Sequence, residues 1–271
     1  MSRCDSQQAE PRPVDASLYD TAYFLSECEG YEEFAASGGQ ILSNRLATAL
    51  AYADVQPGIR VLDVGCGRGE GLIWLMRQGA DAWGLDYATD ALHLARTAIQ
   101  SADLEAGRRY RLLAANACYL PFPSGSFDRV LMLDIVEHLH PWELEQALGE
   151  VQRVLKRGGK LVVHTAPNLW YYQFGYPLLR LFERLRGVRL PTDPRQQFRY
   201  HQYVHVNEQS PRSLVQALRQ AGFRPRVWLE DTQQRWANRD RLTYVLGWLV
   251  THCYPFKWVF CGDVLGEAYK V

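Results

Sequence analysis

Asp63, Gly65, Cys66 and Gly67 fall within one run of nine residues, Val61 to Gly69, whose types and spacing suit a chain turning tightly around a small molecule. Glycine lets a backbone take positive φ and approach a ligand with no Cβ in the way. A dinucleotide site of the form G-x-G-x-x-G seats a pyrophosphate on the following helix. Here the third glycine's place is taken by Glu70, and a carboxylate there repels phosphate. Asp63 points the same way, toward a cofactor with positive charge such as the ammonium and sulfonium of S-adenosylmethionine. Asp86 closes a second apolar run, Ala82 to Leu85, where a carboxylate can accept hydrogen bonds from both ribose hydroxyls. Tyr87 beside it can cover one adenine face. Asn116, followed by Ala117, offers the adenine edge both a donor and an acceptor. Cys66 fits as a small neutral side chain in the turn.

The elements that must position these residues read as alternating strands and helices. Strands are expected at Arg60–Val64, Ala82–Asp86, Tyr110–Ala114, Phe127–Leu133 and, after a Gly158–Gly159 turn, Lys160–Val163. A helix is expected over Gly71–Gln78. A second spans Ser210 to Ala221, with Ser210 as N-cap, Pro211 at its first position and Gly222 ending it. Phe223–Leu229 reads as a sixth strand and Val264–Lys270 as an antiparallel seventh. The turn after the fourth strand, Asp134 to His138, lies at the carboxyl end, where doubly wound sheets bind ligands. His138 is therefore the first candidate for a general base. Its alternative role is holding the loop through backbone hydrogen bonds. Glu137 and His140 share the turn and could exchange roles with it. His201, Tyr203 and His205 alternate ahead of Asn207, with surface or packing roles expected and reach into the pocket the alternative.

Four stretches carry a family resemblance: VLDVGCGRGEG, GLDYATDAL, NACYLPFPSGSFDRVLMLDIVEHL and LKRGGKLVVHTAPN. In order and spacing they resemble the class I S-adenosylmethionine-dependent methyltransferases, in the subgroup of the type 11 methyltransferase domain, over about residues 40 to 168. The resemblance implies an α/β fold, a doubly wound Rossmann-like seven-stranded sheet, mostly parallel with the last strand antiparallel. It implies S-adenosylmethionine as cofactor and S-adenosylhomocysteine as product. The cofactor set it implies is Asp63, Gly65, Cys66, Gly67, Asp86, Tyr87, Asn116, Ala117 and Asp134, with His138 and Glu137 as catalytic candidates. The family usually has Asp where this chain has Asn116. Domains of this look tend to modify glycans, lipids or secondary metabolites, so methyl transfer to oxygen of a small-molecule, glycan or lipid-like acceptor is the expected activity. A cofactor-binding partner without catalysis is the alternative. A nicotinamide oxidoreductase is disfavoured by Glu70.

The chain has 271 residues and balanced charge, with 30 basic and 30 acidic side chains, which argues against a nucleic-acid partner. Residues 1–54 read as a loose tail followed by a helical lid in which Tyr19, Tyr23, Phe24, Tyr31 and Phe34 recur. Residues 55–271 read as the cofactor-binding domain. Two insertions, about 168–205 and 232–261, are rich in aromatic residues and are expected to hold substrate choice. Their helices are expected to pack together as a cap, with an apolar substrate channel touching a membrane surface as the alternative. Neither is apolar enough to span a bilayer. Six scattered cysteines form no Cys-x-x-Cys pair, so neither a metal site nor a disulfide framework is expected. No secretory signal is evident at the N-terminus, so a cytoplasmic location, possible at the membrane periphery, is the expectation.

Overall fold

The computed structural model describes residues 10–104, 109–232 and 241–271. Residues 1–9 of the expected tail, with Cys4, and residues 233–240 of the second insertion lie outside the described residues. Seven strands form one sheet in the order β3-β2-β1-β4-β5-β7-β6. They are β1 (Arg60–Val64), β2 (Asp81–Asp86), β3 (Tyr110–Ala114), β4 (Phe127–Leu133), β5 (Leu155–Thr165), β6 (Phe223–Glu230) and β7 (Asp263–Lys270). The first five run parallel, and β7 pairs antiparallel with both β5 and β6.

Burial on both faces explains the apolar strands. Leu62 and Val130 face one side, against Leu148 of α6 (Pro141–Val154) and Leu214 of α9 (Pro211–Gln220). Val61 and Leu131 face the other, against Leu72 and Leu75 of α4 (Glu70–Arg77) and Leu50 of α3 (Asn44–Ala51). Such two-sided burial is what parallel sheets require. The strand order reverses between β1 and β4, so their carboxyl ends part and open a crevice. Asp63, in β1, and Asp134, just after β4, both line it.

Several boundaries differ from expectation, two of them for a readable local reason. Helix α4 starts at Glu70, because Gly69 at φ +89° turns the chain directly into it. Strand β5 starts at Leu155 rather than after the glycines. Leu155 pairs with Phe127, the register then slips before Lys160 meets Arg129, and the Gly158–Gly159 pair becomes an irregularity inside the strand. Helix α9 follows its sequence signature, Ser210 accepting from the Ser213 N–H in a capping box.

The N-terminal lid folds as α1 (Thr21–Ser26), α2 (Tyr31–Ser37) and α3. Asp20 caps α1 by accepting from Tyr23 N–H, and Ser43 caps α3 by accepting from Leu46 N–H. Tyr19, Tyr23 and Phe24 are buried against Ala88 and Ala91 of α5 (Thr89–Ser101) and against Tyr200 and Val204, at and within α8 (His201–Val204). Lid and first insertion thus close over the same end of the sheet.

The two insertions are in contact. The Tyr171–Gly175 turn leads into α7 (Tyr176–Leu185), and α10 (Arg241–His252) leads into α11 (Phe256–Phe260). Asn168 ties them, its side-chain nitrogen donating to the carbonyls of Trp258 at 3.0 Å and Cys261 at 3.1 Å. Their outer faces stay open, however. Leu178, Leu181 and Leu185 on α7, and Tyr254, Phe256 and Trp258 around α11, are each more than half exposed. No helix among the described residues is long and apolar enough to cross a membrane.

Candidate functional site

The glycine turn after β1 is built to hold Asp86. Gly65 and Cys66 N–H donate to the Leu85 carbonyl at 2.7 and 3.0 Å, pinning the turn to the end of β2. Gly67 N–H donates to one Asp86 carboxylate oxygen at 3.0 Å, and Ala88 N–H donates to the other at 2.9 Å. Both oxygens are oriented before any ligand arrives, with lone pairs remaining for a diol. Gly65 sits at φ +75°, and a Cβ there would fall 2.8 Å from Ile135 Cδ1. Substitution would close the crevice as well as strain the turn.

Asp63 lies in the floor of the same cavity and is 5% exposed. Among the described residues no hydrogen bond or ion pair reaches its carboxylate. Burial, then Asp86 and Glu70, push its pKa up to about 7. A buried carboxylate facing a cavity without a counter-ion favours a cationic ligand, so the residues present fit a cofactor with an ammonium and a sulfonium. Glu70 plays a different part from the one its sequence position suggests. Arg68 pairs with it at 2.7 Å in the interior, so its charge is neutralised and does not bear on a phosphate. The same guanidinium donates to the carbonyls of Phe24 and Glu29, both at 2.7 Å, and so stitches the lid to the cofactor turn.

Farther along the cavity, Asn116 accepts from Cys118 N–H at 2.8 Å. Its acceptor is spent on that turn, which leaves the amide N–H groups for an adenine edge. Ala117, Leu133, Ile135 and Leu139 supply an apolar slot, and Tyr87 lines its outer side with its hydroxyl donating to Val14. Cys66 is buried, and burial raises its thiol pKa, so the thiol stays neutral. Asp134 also lines the cavity, at a left-handed φ of 54°. Its carboxylate is already engaged, by His164 Nδ1 at 2.6 Å and Arg45 at 3.4 Å. Burial opposes its ionisation, but these two cations hold its pKa below the ordinary carboxylate value. Burial works against the His164 cation as well, and Asp134 overcomes it, raising His164 to about 9.

A second cavity adjoins the first and is lined by Arg45, Glu137, Tyr171, Tyr172, His201 and His205, among others. The two cavities share Tyr23, Cys28, Glu29, Asp134 and His138 in their walls. His138 lies with Nδ1 2.9 Å from the Tyr19 hydroxyl. Burial, and then His201, push its pKa down to about 4. Glu137 accepts from the Thr165 hydroxyl at 2.7 Å, and burial followed by Asp134 raises it to about 7. His140 stands apart from the pair, capping α6 with its N–H on Glu143 at 3.0 Å. His201 and His205 reach the second cavity, whereas Tyr203 is 60% exposed. Sequence reasoning did not single out Arg45, Arg68 or His164. Arg45 and His164 meet partners distant in the chain, and Arg68 joins a neighbouring carboxylate to backbone carbonyls of the lid, so none leaves a pattern to read.

This geometry defines a class: a doubly wound domain whose switch-point crevice takes a cationic cofactor bearing a ribose and a base. Residues 62–163 match the family model described as a methyltransferase domain. The methyltransferase GfsG of Streptomyces halstedii is 35% identical over 129 residues, covering 47% of this chain and 44% of the relative. The fatty-acid O-methyltransferase of Mycolicibacterium smegmatis is 40% identical over 111 residues, covering 40% of this chain and 37% of the relative. The chain therefore aligns with less than half the length of either. Phosphoethanolamine N-methyltransferase 2 of Haemonchus contortus, solved with S-adenosyl-L-methionine, shares the fold at TM-score 0.58 and 18% identity, covering 91% of this chain and 59% of that one. Residues 62–163 therefore form a class I S-adenosylmethionine-dependent methyltransferase domain, and S-adenosylmethionine is the cofactor of that domain.

Proposed function

We propose that this protein transfers a methyl group from S-adenosylmethionine to an oxygen of a small, apolar or lipid-like acceptor that enters through the second cavity. The observation that carries the reading is the shared wall. The cofactor crevice and the aromatic-lined cavity meet at Asp134 and His138, so a donor and an acceptor held in each would touch there.

When bound, the cofactor supplies a methyl group on an electrophilic sulfonium. The protein's task is then to hold the acceptor oxygen about 3 Å from that carbon and exclude water. Asp63 and Asp86 anchor the donor at its charged and ribose ends, with Gly65, Gly67 and the Asn116–Ala117 turn shaping the crevice between. Tyr19, Tyr23 and Phe24 close the top, held down by Arg68. His138 lines both cavities where they meet, and Glu137 precedes it in the wall of the second. The lowered pKa of His138 keeps it neutral at physiological pH and makes it a weak base by itself.

Two features support an apolar acceptor. Tyr171 and Tyr172 line the second cavity, and a relative named for fatty-acid O-methylation matches the domain. The open apolar faces of α7 and α11, beside Arg180, Arg184 and Arg186, support peripheral contact with an anionic membrane surface from which such an acceptor could be drawn. Methyl transfer is tested with labelled cofactor against a panel of hydroxylated and carboxylated apolar acceptors. Label in at least one product, abolished by His138→Ala while cofactor still binds, is the expected result. No product from any acceptor, with cofactor binding intact, would favour a binding partner without turnover.

A further inference from the structure

Glu137, His138 and His205 each bring one ligand atom to a common point, all within 4.8 Å of one another. Two of the three follow β4 on one 3₁₀ turn, Val136–His138. The third comes from the first insertion, directly after α8. From these three side chains we infer a divalent-metal site in the wall of the second cavity, departing from the sequence expectation of none.

Neighbouring groups set the three side chains in place, and His138 also bonds to the Val204 backbone. Val206 and Asn207 N–H donate to the Glu137 carbonyl at 2.9 and 3.1 Å, clamping the backbone that carries His205 onto the turn that carries the other two. The Thr165 hydroxyl orients the Glu137 carboxylate at 2.7 Å, and the Tyr19 hydroxyl engages His138 Nδ1 at 2.9 Å. Such outer partners are what fix ligand orientation in metal sites. His205 is 6% exposed, and its Nδ1 is buried with no hydrogen-bond partner. Its ring is held by stacking on His201 at 4.2 Å and by the edge of His138 at 4.8 Å. An imidazole kept out of water without a partner is costly unless something binds it.

Two imidazoles and one carboxylate suit a first-row divalent cation such as Zn²⁺, Mn²⁺, Fe²⁺ or Co²⁺. Bonds of about 2.1 Å place ligand atoms about 3 to 4 Å apart, so a small closure of the observed set completes the coordination. Three protein ligands leave open positions, and His138 and Glu137 both line the cavity those positions would face. The role that follows rests on the methyl-transfer reading above; the binding does not. An acceptor hydroxyl coordinated there gives its proton to water more readily. Its oxygen lone pair then forms the new bond to the methyl carbon, while the carbon–sulfur pair stays on sulfur.

Protein stripped with chelator and titrated with Co²⁺, followed by calorimetry and visible absorption, tests the site. One saturable equivalent with ligand-field bands is expected. Loss of at least about tenfold in affinity is expected for His205→Ala and for the isosteric Glu137→Gln, with Tyr203→Ala unchanged. Binding of S-adenosylhomocysteine confirms that each variant is folded. No saturable Co²⁺ binding, or equal affinity in all variants, overturns the inference while leaving the methyltransferase reading intact. Specific Co²⁺ binding without methyl transfer to any acceptor upholds the site and overturns the proposed reaction instead.

Discussion

Replacing Asp63 with Asn should move stability and cofactor affinity in opposite directions. In the unfolded chain the carboxyl titrates near 3.8, and in the folded protein near 7, chiefly because it is buried. At about 1.4 kcal/mol per pH unit, the ionised side chain costs the cofactor-free fold about 4 kcal/mol at pH 8.5. The sign follows from the raised folded value. Below about pH 4 both states carry the proton and Asp63 costs nothing; between about pH 4 and 7 the unfolded chain ionises first and stability falls; above that the loss is constant. Asn has the same shape and no charge. It retains a buried amide to satisfy, so a net gain of about 1 to 3 kcal/mol is expected at pH 8.5 and none at pH 4. For a chain of this size that is a rise of about 2 to 8 °C in Tm. With saturating S-adenosylmethionine the order should reverse, because the variant lacks the charge that faces the cation. Affinity should fall at least about tenfold. Thermal denaturation at both pH values, with and without cofactor, reads all four quantities. A cofactor-free variant less stable than the parent at pH 8.5, or one that binds cofactor equally well, would refute the reasoning.

Asp86→Ala should weaken cofactor binding by more than about 1.5 kcal/mol in a calorimetric titration, since both carboxylate oxygens are pre-oriented toward a diol. Arg68→Ala should destabilise the fold by about 3 to 5 kcal/mol in urea denaturation, because it leaves Glu70 buried and unpaired. The same variant should speed proteolysis within residues 17–54, as the Phe24 and Glu29 carbonyls lose their donor; an unchanged cleavage rate would sever the lid from the turn. Cosedimentation with anionic vesicles should retain the protein on lipid, weakened by Leu181→Asp on the exposed face of α7, and a protein that stays in the supernatant would end the membrane proposal.

The sheet and the cofactor crevice were legible because their signals are local. Apolar runs ending in Asp63 and Asp86, glycines at fixed spacing and the Ser210–Pro211 cap each declare themselves within a few residues. Glu70 shows where that reading fails. Its charge looked decisive in the turn, yet Arg68 neutralises it, a pairing that two nearby residues in a sequence do not announce. The Arg45–Asp134–His164 network was equally hidden, because its members lie on α3, after β4 and within β5 and meet through the fold alone. His201 and His205 were expected to pack or face solvent. The insertion carries them back over the β4 turn, and no periodicity in the residues between foretells that return.

Calorimetric titration of the folded protein with S-adenosylhomocysteine, and separately with NAD, bears most directly on the crevice between Asp63 and Asp86. The account predicts one saturable equivalent of S-adenosylhomocysteine and none of NAD. A folded protein that takes up no S-adenosylhomocysteine would contradict it.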